Sequence, residues 1–387
     1  MTEESKSIAI FSAQYPPHMG GIESFTQNMA QALVALGHKV LVVTNDTEGL
    51  DTGLTCEGDV EIMRLPCHPL VSGRLPLPLN NGKRGALLRE LRFRCFDGVL
   101  VNARFYPHSL LGMKVARSQG LIPVVLDHGS AWLSLSNPVL DPIVRLYERA
   151  FTAYGKLRYK PRYYGISKKS SEWLGAFGIK SCGEITNSID AADYRKQASG
   201  RDFMAELGLP DDAFVVAFVG RFIPEKGISS ILEASRSEEL RGRGVVFLLA
   251  GDGPLAPEVD AAQGASLKWL GRLGRSDVSA LLQQADALCL PTRSEGFSTT
   301  LLEASACGCP SVVTDVGGAR ELIPSEEYGT IIASMDAGEL IRAFLNLANN
   351  REIAACQGEK CREWVERSCS WKASARNLVE AFSVGSD

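Results

Sequence analysis

Near the amino terminus of this chain a strand, a glycine-bearing loop, a helix and a second strand follow one another, and after residue 212 the succession begins again. "SIAIFSAQYPPHMGGIE" opens with an apolar run. "SFTQNMAQALVALGHK" carries Phe25, Met29, Leu33 and Leu36 at helical spacing and stops at Gly37, and "VLVVTN" is strand-like. A strand, helix, strand unit calls for a parallel sheet, because parallel strands need a crossover longer than a tight hairpin. "GVLVNA", "GMKVARSQG" and "IPVVLDHG" repeat the unit. The second series reads "AFVVAFVGR" strand, "ISSILEASR" helix, "VVFLLAGDG" strand, "LKWLGRL" strand, "DVSALLQQA" helix and "ALCLP" strand. The fold class is therefore α/β, two doubly wound parallel sheets in tandem, dividing in the polar stretch 183–212. A chain of 387 residues has room for both, at roughly 100–200 residues per domain. Ligands of such sheets bind at the carboxyl ends of the strands.

Composition excludes several classes. Hydrophobic content of 45% and charged content of 22% describe an ordinary globular chain. No apolar run approaches the roughly 18 residues of a membrane span, and the acidic start "MTEESKSIAIF" lacks the n-region of a secretion signal. The ten cysteines are scattered, some inside apolar segments (Cys289, Cys307), which reads as buried cytosolic thiols. The net charge of -4 is unevenly spread: residues 1–200 carry 23 Lys and Arg against 18 Asp and Glu, and the remainder 18 against 27. Six cations fall between Arg74 and Arg94 (Arg74, Lys83, Arg84, Arg89, Arg92, Arg94). Six more fall between Arg145 and Arg162 (Arg145, Arg149, Lys156, Arg158, Lys160, Arg162), interleaved with Tyr147, Phe151, Tyr154, Tyr159, Tyr163 and Tyr164. Such segments suit an anionic membrane surface; they also suit nucleic acid or a plain solvated face.

The stretch "SEGFSTTLLE" sets Glu295 in a loop at a strand's carboxyl end and Glu303 about two turns along the helix that Ser298 or Thr299 caps. Free N–H groups at that helix start favour an anion or sugar hydroxyls. The same residues also fit a capped helix with a surface glutamate at each end. "GRFIPEKG" places Arg221 and Lys226 after another strand, two cations suited to neutralising a diphosphate. Gly20 and Gly21 sit between the first strand and its helix, where a ligand can approach the backbone, but without GxGxxG spacing. His128 in "LDHGS" is either a substrate contact or structural. No HExxH, GxSxG, GKS or GKT occurs, and no Asp-x-Asp, so no metal-held nucleotide sugar is indicated.

In order along nearly the whole chain, "YPPHMGGIE", "GHKVLVVT", "HG", "ISKKSSEWL", "NSID", "VGRFIPEKG", "LLAGDGP" and "ADALCLPTRSEGFSTTLLEASACGCPSVVTDVGG" resemble the retaining glycosyltransferases of family four. The resemblance implies the GT-B fold, two facing Rossmann-like domains with a cleft between them. Residues 1–185 would bind the acceptor and 186–370 the nucleotide sugar, with 371–387 a helix and tail crossing back to the first domain. It assigns Glu295 to the donor sugar, Glu303 to the nucleotide ribose, and Gly296, Phe297, Ser298 and Thr299 to sugar hydroxyls and diphosphate. Gly220, Arg221, Lys226 and Arg272 join the donor site, Arg221 and Lys226 as the diphosphate clamp. Gly20 and Gly21 face that diphosphate, and His128 meets an outer sugar hydroxyl. His128, Arg221, Lys226 and Glu295 are then the catalytic set, with no cofactor and no metal. Two departures stand out. Ser298 replaces a common glycine, narrowing the sugar pocket, and Val101-Asn102-Ala103-Arg104 replaces a two-histidine motif on the acceptor side. Tyr15, Asn102 and Arg104 are the acceptor-side candidates, Arg104 for an anionic acceptor.

The activity so implied is transfer from a UDP- or GDP-sugar to a lipid-linked saccharide in cell-surface polysaccharide assembly. The protein would be cytoplasmic, peripheral on the inner face of the cell membrane, against an anionic membrane surface and without nucleic acid. A small soluble acceptor (a polyol or inositol phosphate), a silent nucleotide-sugar-binding module and an epimerase of the same architecture are the alternatives.

Overall fold

The computed structural model describes residues 4–18, 20–50, 52–70, 73, 75–133 and 139–383. The chain forms two compact units, one of Met1–Asn187 with Trp371–Asp387, the other of Ser188–Ser370.

The strands of the first unit are β1 (Ser7–Phe11), β2 (Lys39–Asn45), β3 (Gly53–Glu57), β4 (Val60–Leu65), β5 (Cys67–Leu70), β6 (Leu75–Pro78), β7 (Gly98–Asn102), β8 (Val124–Asp127) and β9 (Arg162–Gly165). Seven of them form one sheet in the order β3-β4-β2-β1-β7-β8-β9, parallel except for β3 against β4, and β5 pairs with β6 in a separate ribbon. In β1, Ile8, Ala9, Ile10 and Phe11 have no exposed surface. A central parallel strand covered by helices on both faces has no solvent side to hold polar residues, hence its unbroken apolar run. The helix Trp371–Ser383 returns to this unit. Trp371 packs 5.6 Å from Phe25, Phe382 fills the space beside Gly98, and Arg162 Nη1 donates to the Ala381 carbonyl at 2.8 Å.

The second unit holds β10 (Phe214–Val219), β11 (Val245–Ala250), β12 (Leu267–Gly271), β13 (Ala287–Leu290), β14 (Ser311–Thr314) and β15 (Thr330–Ile332), all parallel, in the order β12-β11-β10-β13-β14-β15. In both sheets the order reverses beside the first strand: β1 lies between β2 and β7, and β10 between β11 and β13. Loops leaving neighbouring strands at such a switch point part to opposite faces, and the crevice at their carboxyl ends is where ligands of this architecture bind.

Candidate functional site

In the second unit the crevice is built by the loops after β10 and β13. The first, Gly220 to Gly227, contains one 3-10 turn, Pro224–Lys226. Gly227 has φ of 71°, and a side chain there would meet the Pro291 carbonyl oxygen at 2.3 Å, so only glycine lets this loop lie against the end of β13. Arg293 N–H and Thr292 Oγ1 both donate to the Glu225 carbonyl, at 2.8 and 3.1 Å, closing the two loops together. From the other side Gly317, with φ of 51°, approaches the carbonyl oxygens of Glu295 and Gly296 closely enough that a Cβ would lie 2.5 Å from each. Glu295 is thus held by backbone on both sides, and Lys226 Nζ forms an ion pair with its Oε1. Arg221, five residues earlier, is exposed.

Phe297 is buried beneath Gly318, and Ser298 N-caps the helix Thr299–Cys307, its Oγ accepting from Leu301 N–H at 3.2 Å. The serine hydroxyl expected to narrow a sugar pocket is therefore turned into the helix cap. The N–H groups of Phe297, Ser298 and Thr299 make no hydrogen bond among the described residues, leaving donors at the helix start. Glu303 lies half-buried on this helix. Burial pushes its carboxyl up to about 7 against the opposing pull of the Arg275 guanidinium. Arg275, stacked 5.3 Å over Tyr194, escaped the sequence reading, since nothing local distinguishes it from Arg272. Arg272 is mostly exposed, its Nε 3.1 Å from Asp252 Oδ2.

The first unit treats its strand ends differently. At the end of β7, Asn102 is buried. Its Nδ2 donates to Thr26 Oγ1 at 2.8 Å while Thr26 Oγ1 donates onward to the Ile22 carbonyl at 2.7 Å. That chain of donors fixes the amide: Oδ1 faces His128 Nε2 at 3.0 Å and must accept from it, which leaves His128 Nδ1 as an acceptor. Burial lowers the His128 pKa to about 3, so the ring is neutral and can receive a hydroxyl hydrogen, but it brings no positive charge. Ala103 takes a left-handed φ of 63°, and the next side chain, Arg104, is 1% exposed. Its Nη1 donates to Asp127 Oδ1 at 2.8 Å, its Nη2 to Glu148, and its guanidinium lies 3.9 Å over Phe177.

The acceptor-side expectation is corrected accordingly. Arg104 cannot meet an anionic acceptor, because both of its terminal nitrogens are held by buried carboxylates. Asn102 orients His128 rather than reaching a ligand. Tyr15 is 3% exposed, its hydroxyl donating to Glu57 Oε2 at 3.2 Å beneath Arg64. At the start of the helix Gly21–Ala35, Gly21 is open. The carboxylate of Glu23, paired with His18 Nδ1 at 2.9 Å, lies where a Gly20 side chain would stand and opposes an anion there.

The two basic segments also differ from their sequence reading. Arg84 is buried on the Pro66 carbonyl, Arg94 pairs with Glu61 and Glu90, and Arg74 lies outside the described residues. Tyr159, Tyr163 and Tyr164 are buried in the first unit. Cys289, Cys309, Cys361 and Cys369 are buried, whereas Cys56, Cys95, Cys182 and Cys356 are exposed, so burial explains only part of the thiol set. Among the described residues no group of three or more His, Cys, Asp or Glu side chains could hold a metal ion, and no helix is long and apolar enough to cross a membrane.

Comparison with known proteins agrees with this architecture. The family model described as "Glycosyl transferases group 1" matches residues 200–368, and "Glycosyl transferase 4-like domain" matches 20–154. The alpha-D-kanosaminyltransferase of Streptomyces kanamyceticus is 28% identical, over 89% of this chain and 94% of its own. The GDP-mannose-dependent monoacylated alpha-(1-6)-phosphatidylinositol monomannoside mannosyltransferase of Corynebacterium glutamicum is 25% identical over 97% of each. In fold, the Anabaena protein Alr3699/HepE, solved in complex with UDP, superposes with a TM-score of 0.71 at 16% identity, covering 98% of this chain and 99% of that one. With both halves matched and the two switch-point sheets in place, the chain belongs to the family-four glycosyltransferases of the GT-B fold.

Proposed function

We propose that the protein transfers a sugar from a nucleoside diphosphate donor, UDP- or GDP-linked, to a lipid-linked saccharide, with retention at the anomeric carbon. The observation that carries this reading is the grouping of Lys226, Glu295, free helix-start N–H groups and Glu303 around one switch point. The N–H groups and Lys226 suit a diphosphate, Glu295 the hydroxyls of the sugar attached to it, and Glu303 the ribose. The Lys226–Glu295 pair keeps the lysine in place before a donor arrives. As the glycosidic bond breaks, negative charge grows on the departing phosphate, and fixed donors aimed at it stabilise that change. The phosphate itself can take the acceptor's proton, so no separate general base is required. His128 Nδ1 is suited to hold a sugar hydroxyl. The Corynebacterium relative's phosphatidylinositol-linked mannoside acceptor supports a lipid-linked one here, and the UDP complex of the Anabaena protein supports a nucleoside diphosphate. Binding without a metal is part of the proposal, supported by the absence of Asp-x-Asp.

Thermal midpoints with UDP, GDP, ADP and dTDP, with and without magnesium, test it. Ligand at about 100 times its dissociation constant stabilises by roughly 2.7 kcal/mol. One nucleotide should raise the midpoint independently of magnesium, and Lys226→Ala should weaken its binding by about 1.5–3 kcal/mol. No shift with any nucleotide, or unchanged affinity in the variant, would refute the assignment.

A further inference from the structure

Five of the twelve exposed large apolar side chains among the described residues lie on one helix of the first unit, Asp141–Tyr159: Ile143 (61% exposed), Leu146 (69%), Tyr147 (38%), Tyr154 (53%) and Leu157 (76%). The inward face of this helix is accounted for. Glu148, Thr152 and Tyr159 are buried, and Gly155 lies close to Met113 and Leu110. At about 100° per residue the five apolar positions, with Ala150, fall in a single stripe opposite that face. Arg149 falls beyond Leu146 on one side of the stripe and Arg158 beyond Tyr147 on the other, while Arg145 lies nearer the inward face, about 20° from Thr152. None of the three forms an ion pair among the described residues, though Arg149 stacks 4.8 Å over Trp132. Beyond the first turn the helix has one carboxylate, Glu148, and Arg104 holds it in the interior.

A helix with an apolar stripe outward, cations beside it and no exposed acid matches the interface of an anionic bilayer, where leucines enter the acyl boundary and arginines stay at the headgroups. A second copy fits less well. Packing two such faces together would bring arginine flanks alongside each other with no carboxylate to separate them.

We propose that the outward face of the helix Asp141–Tyr159 docks the protein on an anionic membrane, inserting Ile143, Leu146 and Leu157. This deepens the lipid-linked acceptor reading, on which it rests for its purpose, but its test requires no transfer. The full chain, without nucleotide, is floated with vesicles of phosphatidylcholine alone or mixed with phosphatidylglycerol. Association should appear with the mixed vesicles and weaken with salt. Leu146→Ser with Leu157→Ser should lower it about tenfold per leucine, and Arg149→Gln with Arg158→Gln about tenfold or more together. All four positions are exposed, so thermal midpoints and nucleotide-induced shifts should match the parent protein. The proposal is overturned by no association, by equal association with neutral vesicles, or by variants that float like the parent. Concentration-dependent self-association that the leucine variant abolishes, without vesicle binding, would give the face to a second copy and overturn it as well. A missing nucleotide shift would count against the donor reading and leave the docking result standing.

Discussion

The end of β8 in the first unit and the end of β13 in the second both carry acid–base pairs, and the two are built for different ends. Arg104, Asp127 and Glu148 are each at most 1% exposed, so their charges answer one another and nearby protein groups rather than solvent. Lys226 and Glu295, at 17% and 20% exposure of their side chains, remain within reach of a ligand. A buried pair costs several kcal/mol per ion to desolvate and resists exchange. A half-buried pair can yield its lysine to a phosphate at little cost. Charge at a strand end is therefore a poor guide to a binding site until its burial is known.

Breaking each pair should give unequal losses. Arg104→Met removes the one cation that pairs with these two buried carboxylates among the described residues, so it should destabilise by about 3–5 kcal/mol, read from urea unfolding. Burial already raises Asp127 to about 6 and Glu148 above its ordinary value, in spite of Arg104. Without the arginine both would rise further above their unfolded values. The carboxylates then bind more protons folded than unfolded across that window, so stability falls as pH rises through it. The loss should accordingly be largest near pH 8 and shrink on acidification; a pH-independent loss would point to packing alone. Lys226→Met should cost about 1 kcal/mol or less. Equal losses at the two sites would dissolve the contrast.

Glu303 sharpens it within the second unit. Its carboxyl titrates at about 7, above an unfolded value near 4.5, so the folded state binds the extra proton between those values and folding stability falls as pH rises from one to the other. Ribose recognition needs the carboxylate and should run the opposite way. With half of the sites charged at pH 7, nucleotide affinity should improve about tenfold between pH 6 and pH 8. Titrations of the parent and of Glu303→Gln share the ligand's own phosphate ionisation, so their difference isolates this group. Parallel pH profiles would remove Glu303 from the ribose.

The sequence made some of this plain for a physical reason. β1 and β10 are covered on both faces and read as unbroken apolar runs, and Glu295 and Glu303 lie in one loop-to-helix stretch whose spacing alone sets their geometry. The hairpin of β3 and β4 went unread because four of the five β3 residues are exposed and give no apolar signal. Tyr163 and Tyr164 looked like a basic, aromatic surface but belong to buried β9. Arg104 misled most. Its partners lie 23 and 44 residues away, and only the sheet order places Asp127 on the strand next to β7. Arg275 went unnoticed because its relation to Glu303 is likewise made by tertiary packing.

The smallest expected effect concerns Ser298. If its hydroxyl serves the helix start, as the 3.2 Å bond from Leu301 N–H indicates, Ser298→Ala should cost about 1 kcal/mol and Ser298→Gly only a few tenths, because glycine is tolerated at an N-cap. If it instead restricts the sugar, the glycine variant should accept a bulkier donor with little change in stability. Denaturant midpoints for both variants, set beside hydrolysis of a panel of nucleotide sugars, separate the two roles. The cap geometry leads us to expect an unchanged donor order. A reordered panel in Ser298→Gly would mean that this end of the second unit, unlike the closed ion cluster of the first, meets its ligand with a side chain as well as with backbone.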